Sequence, residues 1–428
     1  MRSSIVLFTI LLVPLASTSK VFQQVVSKDA KAWKVQAIQK LWDERKKMHH
    51  SPLELLNITG TPKTQFYIKN ETASPSGTLK HRFVWMLMMW AVAEGKVTGN
   101  TTVYDSTSGN TGASEAYMCK LLGLTFVAVV SKDLEEAKIK QITQFGGEIM
   151  KVEAAERNDM AAKMAEERGG FFINQFGNAD AAEDFYESGN WPFESANVFH
   201  EINVKLRELK HPQPHYFVHS AGTGGTISSV GKYITRNLMR TKVVLADSEH
   251  SLFGDYVLSG SYTNLSSNDA GRPPWVKPGI AGIGYGYNSA PIIFGQSTSL
   301  DRSVIDEVAR MPDMATVAAM RSLRDLGIDG GASTALNFLV ALYKAIRHKQ
   351  GKVPFATKEH LRIVFIMGDP GHFYTSSYFN DTWVEENMSD VGGMLGLKCW
   401  KSKIDKAIKS GSDFLIGAKK VCYWKLIN

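Results

Sequence analysis

The run Thr102-Val-Tyr-Asp-Ser-Thr-Ser-Gly-Asn-Thr-Gly112 contains the turn on which the fold depends. Its first half, Thr102 to Ser106, is rich in strand formers. Its second half is a polar, glycine-bearing turn, and Ala113 to Leu122 beyond it carries apolar residues at helical spacing. Thr125 to Val130 then reads as another strand. A strand that turns through glycine into a helix and comes back as a strand is the unit of a parallel sheet. The alternation continues outward. Downstream come a helix over 135–145, a strand over 147–152, a helix over 154–168 and a strand over 171–174. A helix over 196–208 leads to a strand over 216–219, which runs into Ala221-Gly-Thr-Gly-Gly-Thr226; a helix over 227–236 and a strand over 242–246 follow. Residues 301–350 hold two helices around Gly330-Gly-Ala-Ser-Thr334, and 362–367 is a strand. Upstream, 65–69 is a short strand and 20–56 reads as one or two helices. Residues 247–300 read as an insertion with a substrate-side loop. The expectation is an α/β protein of two lobes, its parallel-rich sheets covered by helices, with ligands at the carboxyl ends of the strands.

One lysine stands out against this background. Ser74-Pro-Ser-Gly-Thr-Leu-Lys-His-Arg82 is a turn that places Lys80 at the head of the apolar helix Phe83-Val-Trp-Met-Leu-Met-Met-Trp90. A helix start disfavours an ammonium, and burial lowers its pKa further, so the neutral amine becomes available to attack a carbonyl. Alone, such a lysine is ordinarily a solvated surface group. The glycine-rich loops alter that balance. Thr107 to Gly112 offers hydroxyls, an amide and helix-start N–H groups to a carboxylate or phosphate, and the glycines of Gly222 to Thr226 let N–H groups wrap an anion. Gly331-Ala-Ser-Thr334 places hydroxyls before a third helix. Competing motifs are absent: Gly222-x-Gly224 meets Ile227 where a dinucleotide fingerprint needs glycine, and there is no Gly-Lys-Ser/Thr. No histidine or cysteine spacing suits a metal. A lysine for an aldehyde, a phosphate cup and a carboxylate cradle together call for pyridoxal 5'-phosphate.

Composition bounds the rest. The 428 residues carry a net charge of +7, with eight lysines against two aspartates in residues 397–428. The body is close to neutral, which argues against a nucleic-acid footprint. Residues 385–428 read as a basic, partly amphipathic C-terminal extension. The three cysteines form no disulfide scaffold. Cys119 reads as a packed thiol, and Cys399 and Cys422 can bridge in an oxidising compartment. Arg2, the apolar run Ile5 to Ala16 and Ser17-Thr-Ser19 form a signal-peptide pattern over 1–19. With Asn-x-Ser/Thr triplets at Asn57, Asn70, Asn100, Asn264, Asn380 and Asn387, they point to a secreted or lumenal glycoprotein without a membrane span once the signal is removed. If the segment is not a signal, the alternative is a cytoplasmic or mitochondrial protein.

These motifs resemble the fold-type II pyridoxal-phosphate enzymes of the cysteine synthase and cystathionine β-synthase family, nearest to its L-cysteine desulfhydrase-like branch. The resemblance covers about 58–380. It rests on Thr59-Gly-Thr-Pro62, Pro75-Ser-Gly-Thr-Leu-Lys-His-Arg82, Thr107 to Gly112, Asn174-Gln-Phe176, Gly222 to Thr226 and Asp369-Pro-Gly-His-Phe-Tyr374. It implies a tryptophan synthase β-like fold over residues 20–384, in which Lys80 is the Schiff-base lysine and the general base at Cα. It also implies that Asn110 bonds the cofactor's ring hydroxyl, that Gly222, Thr223, Gly224, Gly225 and Thr226 hold its phosphate, and that Ser333 meets the ring nitrogen. Thr107, Ser108, Thr111 and Gln175 would hold the substrate carboxylate. Ala335 stands where the family usually has glycine. The implied activity is β-elimination or β-replacement on cysteine, serine or O-acetylserine by a homodimer. The alternatives are a retired homologue that keeps the cofactor as a metabolite sensor or binding protein, or a serine or threonine dehydratase.

Overall fold

The computed structural model describes residues 28–154, 156–187, 194–211, 213–261, 279–284, 299–353 and 360–422. The signal-like segment, Asn264 and most of the 247–300 insertion lie outside the described residues.

In chain order, α1 (Lys28–Lys47), β1 (Leu53–Leu56) and β2 (Thr64–Asn70) precede α2 (Lys80–Ala93). The first lobe follows: β3 (Val103–Ser106), α3 (Asn110–Leu122), β4 (Phe126–Ser131), α4 (Glu136–Thr143), β5 (Glu148–Val152), α5 (Arg157–Glu167), β6 (Phe171–Phe172) and α6 (Ala179–Glu187). The second lobe begins with α7 (Val198–Glu208), β7 (Tyr216–Ser220), α8 (Gly225–Arg236), β8 (Lys242–Ser248) and α9 (Phe253–Ser259). It continues through β9 (Glu307–Met311), α10 (Asp313–Asp325), α11 (Ala332–Lys349) and β10 (Leu361–Met367) to α12 (Asp381–Asn387), α13 (Gly393–Ser410) and α14 (Ala418–Cys422).

Two sheets result. The smaller, β5-β4-β3-β6, is parallel throughout. The larger has the order β1-β2-β10-β7-β8-β9 and is parallel except for β1, which pairs antiparallel to β2 at one edge. Each central strand is apolar on both faces, as a sheet covered on both sides requires. In β4, Phe126, Ala128 and Val130 pack with α2 and α3, while Val127 and Val129 meet α5. In β10, Ile363 and Phe365 face α10 and α11, and Val364 and Ile366 face α7 and α8. Helix α2 is buried all round, every residue from Phe83 to Val92 included, which explains its lack of a polar stripe.

The basic stretch after 385 does not stand apart. Helix α13 turns its lysines outward and buries Leu397, Trp400, Ile404 and Ala407 in the same core as α10 and α11. Its last turn meets the Thr59–Pro62 turn, where the Gly60 N–H donates to Ile408 O at 2.8 Å. A Cβ on Gly60 would lie 2.3 Å from Gly411 N, so this close approach requires glycine. Cys399 and Cys422 form a disulfide joining α13 to α14, and Cys119 is free and buried.

The sequence reading differs at the edges. Residues 53–56, expected as helix, form β1, and 301–350 contains β9 besides its two helices. Both are edge strands of mixed burial, where charged residues interrupt the apolar pattern that marks central strands.

Candidate active site

Four helix starts and one strand end converge between the lobes. Lys80 is the first residue of α2. The preceding Leu79 N–H donates to Gly368 O at 2.8 Å, tying this start to the loop after β10. A buried ion cluster fixes it further. Arg82 donates Nε and an Nη to the two oxygens of Glu71 (2.7 and 2.9 Å) and its other Nη to Glu201 (2.8 Å). Lys69 completes the cluster on Glu201 at 2.7 Å. The Arg82 fork therefore sets the direction in which α2 leaves the large lobe.

Lys80 Nζ lies 5.3 Å from the centre of the Phe83 ring. Burial lowers its pKa to about 8, and the carboxylates of Glu115 and Asp369 oppose that shift. About a tenth of the amine is therefore free at pH 7. Across the cleft, burial first and the Lys80 charge second push His219 down to about 3, so its imidazole is neutral.

Helix α3 starts at Asn110. Thr107 Oγ1 accepts the N–H groups of Gly109 (3.1 Å) and Gly112 (3.0 Å), so this hydroxyl organises the loop itself. Ser108 is exposed at the loop's tip. The Thr111 hydroxyl donates to Gln175 Oε1 at 2.6 Å, and Gln175 Nε2 donates to Ser106 O at 2.8 Å, so the structure joins these two carboxylate candidates directly. Asn110 Nδ2 donates to Asp369 Oδ2 at 2.9 Å, and Tyr374 donates its hydroxyl to the same oxygen at 2.6 Å. Asn110 Oδ1 and Asp369 Oδ1 are buried without a hydrogen-bond partner among the described residues.

The third start is α8. Gly224 has the left-handed φ of +85°, and a Cβ there would lie 2.4 Å from Leu300 N; a Cβ on Gly222 would lie 2.4 Å from Gly282 O. No side chain caps α8, so N–H groups of its first turn remain for an anion. The Gly225 N–H donates to Thr223 Oγ1 at 3.2 Å, and Thr226 is half-buried in the same turn. This loop borders Lys80's helix, since a Cβ on Gly225 would lie 3.9 Å from the Phe83 ring. The fourth start is α11. Its Ser333 Oγ would lie 3.0 Å from a Cβ on Gly368, beside Leu79. Lys80, Asn110, Thr111, Gln175, Ser333 and the loop 222–226 are thus brought together, and Ser108 sits near Gly282 at the rim.

Asp369 follows a strand's carboxyl end, the same position that marks the other loops, which is the one sequence signal for it. The buried Asp105–Glu115 carboxyl pair leaves no mark in the sequence pattern.

These residues fit pyridoxal phosphate. A lysine with a lowered pKa sits beside a glycine-walled cup at an uncapped helix start, and an unsatisfied amide oxygen is buried nearby. The comparisons agree. The family described as pyridoxal-phosphate dependent enzyme matches residues 47–356, and the chain belongs to this family. It is 52% identical over 394 residues to a pyridoxal-phosphate dependent protein of Caenorhabditis elegans, covering 91% of this chain and 89% of that one. It is 33% identical over 332 residues to an L-cysteine desulfhydrase of Mycobacterium tuberculosis, covering 77% and 82%. Among solved structures, an O-ureido-L-serine synthase superposes with a TM-score of 0.62 at 23% identity, covering 78% of this chain and 93% of that one. A hydrogen sulfide-producing enzyme from Fusobacterium nucleatum gives 0.60 at 24%, covering 79% and 98%. The architecture is that of the fold-type II enzymes, and the protein is a pyridoxal-phosphate dependent enzyme.

Proposed function

We propose that the protein removes or replaces the β-substituent of L-cysteine, L-serine or an O-activated serine. The observation that carries this reading is Lys80, a half-buried lysine with a lowered pKa at a helix start between an anion cup and a carboxylate loop. Bound pyridoxal phosphate supplies an aldehyde for amines and an electron sink for Cα. In this reading the N–H groups of Gly222 to Thr226 hold its phosphate, Asn110 its ring hydroxyl and Ser333 its ring nitrogen. A neutral hydroxyl at that nitrogen leaves it uncharged, which suits elimination. Thr111, Gln175 and Ser108 fix the substrate carboxylate, and the Thr107 hydroxyl keeps their loop in shape. Lys80 takes the Cα proton as general base. The Cβ–S or Cβ–O bond breaks with its electron pair on the leaving group. Water then completes elimination to pyruvate and ammonia, or a thiol adds at Cβ to give replacement. The L-cysteine desulfhydrase relative supports cysteine as the first substrate to try.

The test is to add L-cysteine to the yellow holoenzyme and measure sulfide and pyruvate, then repeat with L-serine and O-acetylserine. Lys80→Ala is expected to lower turnover by about 100-fold or more; a variant that retains the activity overturns the assignment. Bound cofactor with no turnover of any of the three favours a binding protein.

We also propose a secretory route, supported by the Cys399–Cys422 disulfide and by exposed Asn57, Asn100, Asn380 and Asn387 in glycosylation triplets. Protein from a secreting eukaryotic cell should gain mobility on a gel after peptide N-glycosidase treatment; unchanged mobility counts against that route.

A further inference from the structure

Two carboxyls lie buried together, and one of them, Glu115, acts on the charge of Lys80. Asp105 is on β3 and Glu115 on the second turn of α3, so they flank the loop that carries Thr107, Ser108 and Asn110. Both residues have no exposed surface, and the two groups are within hydrogen-bonding reach of each other. Asp105 Oδ1 accepts the Gln175 N–H at 3.4 Å. Asp105 Oδ2 and both Glu115 oxygens meet no donor among the described residues. Two buried carboxylates with three of their four oxygens short of a donor repel each other and have lost their hydration, so they cannot both stay ionised. A single proton between them supplies the missing donor and leaves one negative charge.

That charge has an evident recipient. The cation acting on Glu115 is Lys80, and the anions acting on Lys80 are Glu115, from α3, and Asp369, from the loop after β10. The other titratable neighbours are neutral: His219 on β7, and Cys119 one turn along α3, whose thiol is pushed up by burial and then by Glu115. Gln175 also links the pair to Thr111.

We propose that Asp105 and Glu115 share one proton and act as a singly charged positioning pair that sets the protonation of Lys80. The proposal rests on Lys80 being the lysine that takes the cofactor. One charge suits both tasks of the site. It supports the ammonium that Lys80 becomes on accepting a proton. A doubly charged pair would repel the substrate carboxylate that Thr111 and Gln175 are to receive. Burial pushes Asp105 up to about 7 and Glu115 well above the carboxylate range, in keeping with a retained proton.

The experiment follows the amine rather than turnover. Borohydride reduction of the holoenzyme, followed by peptide mapping, first locates the cofactor's lysine. An adduct elsewhere than residue 80 overturns the site reading and this proposal together. With the adduct at Lys80, the cofactor-free full-length protein is acetylated competitively across pH, and labelling of the peptide carrying residue 80 gives the amine's midpoint. Glu115→Gln can donate an amide N–H to Asp105 and keeps one charge, so its midpoint should stay within about 0.3 unit of wild type. Asp105→Asn/Glu115→Gln removes the charge, so the midpoint should fall by about one unit, with roughly tenfold faster labelling below it. A Glu115→Gln shift of about half the double variant's or more means Glu115 carries a charge of its own in the native pair. A double variant with the wild-type midpoint means the pair carries none at Lys80. Either result overturns the proposal. Infrared difference spectra provide a check that needs no double variant. The wild-type minus Glu115→Gln difference spectrum at neutral pH should show one buried carboxylic-acid carbonyl band lost in the variant, over those that Asp313, Glu183 and Asp247 give to both proteins; no lost band overturns the shared proton.

Discussion

Arg82 shows how much of the chemistry depends on a residue that touches none of it. Its fork holds Glu71 and Glu201 inside the protein, and Lys69 shares Glu201. Burial raises the Glu201 pKa, but Arg82 and Lys69 more than reverse this and hold it far below the carboxylate range. The cluster is arranged around ionised acids. Removing the guanidinium leaves Glu71 without its ion partner and Glu201 with Lys69 alone, at a cost of about 3–5 kcal/mol. Arg82→Met is therefore expected to unfold at a clearly lower temperature and to bind cofactor more weakly, because the α2 start loses its anchor to the large lobe. Arg82→Lys keeps a charge without the fork and should fall between. Thermal unfolding of the three proteins checks the order; a Met variant as stable as wild type removes the anchoring role.

At the scale of the element, each chemical group sits where a strand ends and a helix begins, and glycine makes the turn between α8 and its strand possible. Gly224→Ala would force a left-handed φ onto a side chain that lies 2.4 Å from Leu300 N. The loop must open, so cofactor affinity should fall at least about tenfold, a cost of at least ~1.4 kcal/mol. Spectrophotometric titration of the cofactor-free protein measures this, and an unchanged affinity argues against the loop as the phosphate site. These turns were legible in the sequence because glycine and hydroxyl residues after an apolar strand have few other uses. The central strands were legible because β4, β7, β8 and β10 bury both faces. The edge strands β1 and β9 were not, since half-exposed backbone tolerates charge. Asp105 and Glu115 were hidden for a related reason: an acid in a short strand or helix reads as solvated, and only the packing of β3 against α3 shows that neither reaches water. The strand order of the larger sheet was out of reach, because β10 returns from far along the chain to lie between β2 and β7.

The whole molecule carries several acids whose burial opposes their ionisation. Burial pushes Asp105, Asp313 and Glu183 up to about 7 and Asp247 to about 6. In the unfolded chain such groups titrate near 4. Between these values the folded protein binds more protons than the unfolded chain, so stability falls as pH rises from about 4 to about 7 and then levels off. Glu201 acts oppositely. Its folded pKa lies below the unfolded value, so its contribution is present above about 4.5 and is lost as pH falls below that. Lys80, lowered to about 8, favours folding as pH climbs from there towards its unfolded value near 10. His219, lowered to about 3, offsets part of the acids' effect up to its unfolded value near 6.5, and the sum predicts a stability maximum near pH 5, where Glu201 is ionised and the buried acids keep their protons. The melting temperature should drop by about 3 °C or more between pH 5 and 7.5. Asp313 offers the clearest single test, because its Oδ1 accepts the Ser248 hydroxyl at 2.5 Å and an asparagine oxygen can accept the same bond. Asp313→Asn never ionises, so its descent between pH 5 and 7.5 should be shallower than wild type. Calorimetry across that range decides the matter: a melting temperature that climbs steadily towards pH 7.5 would mean these carboxyls ionise freely in the folded protein.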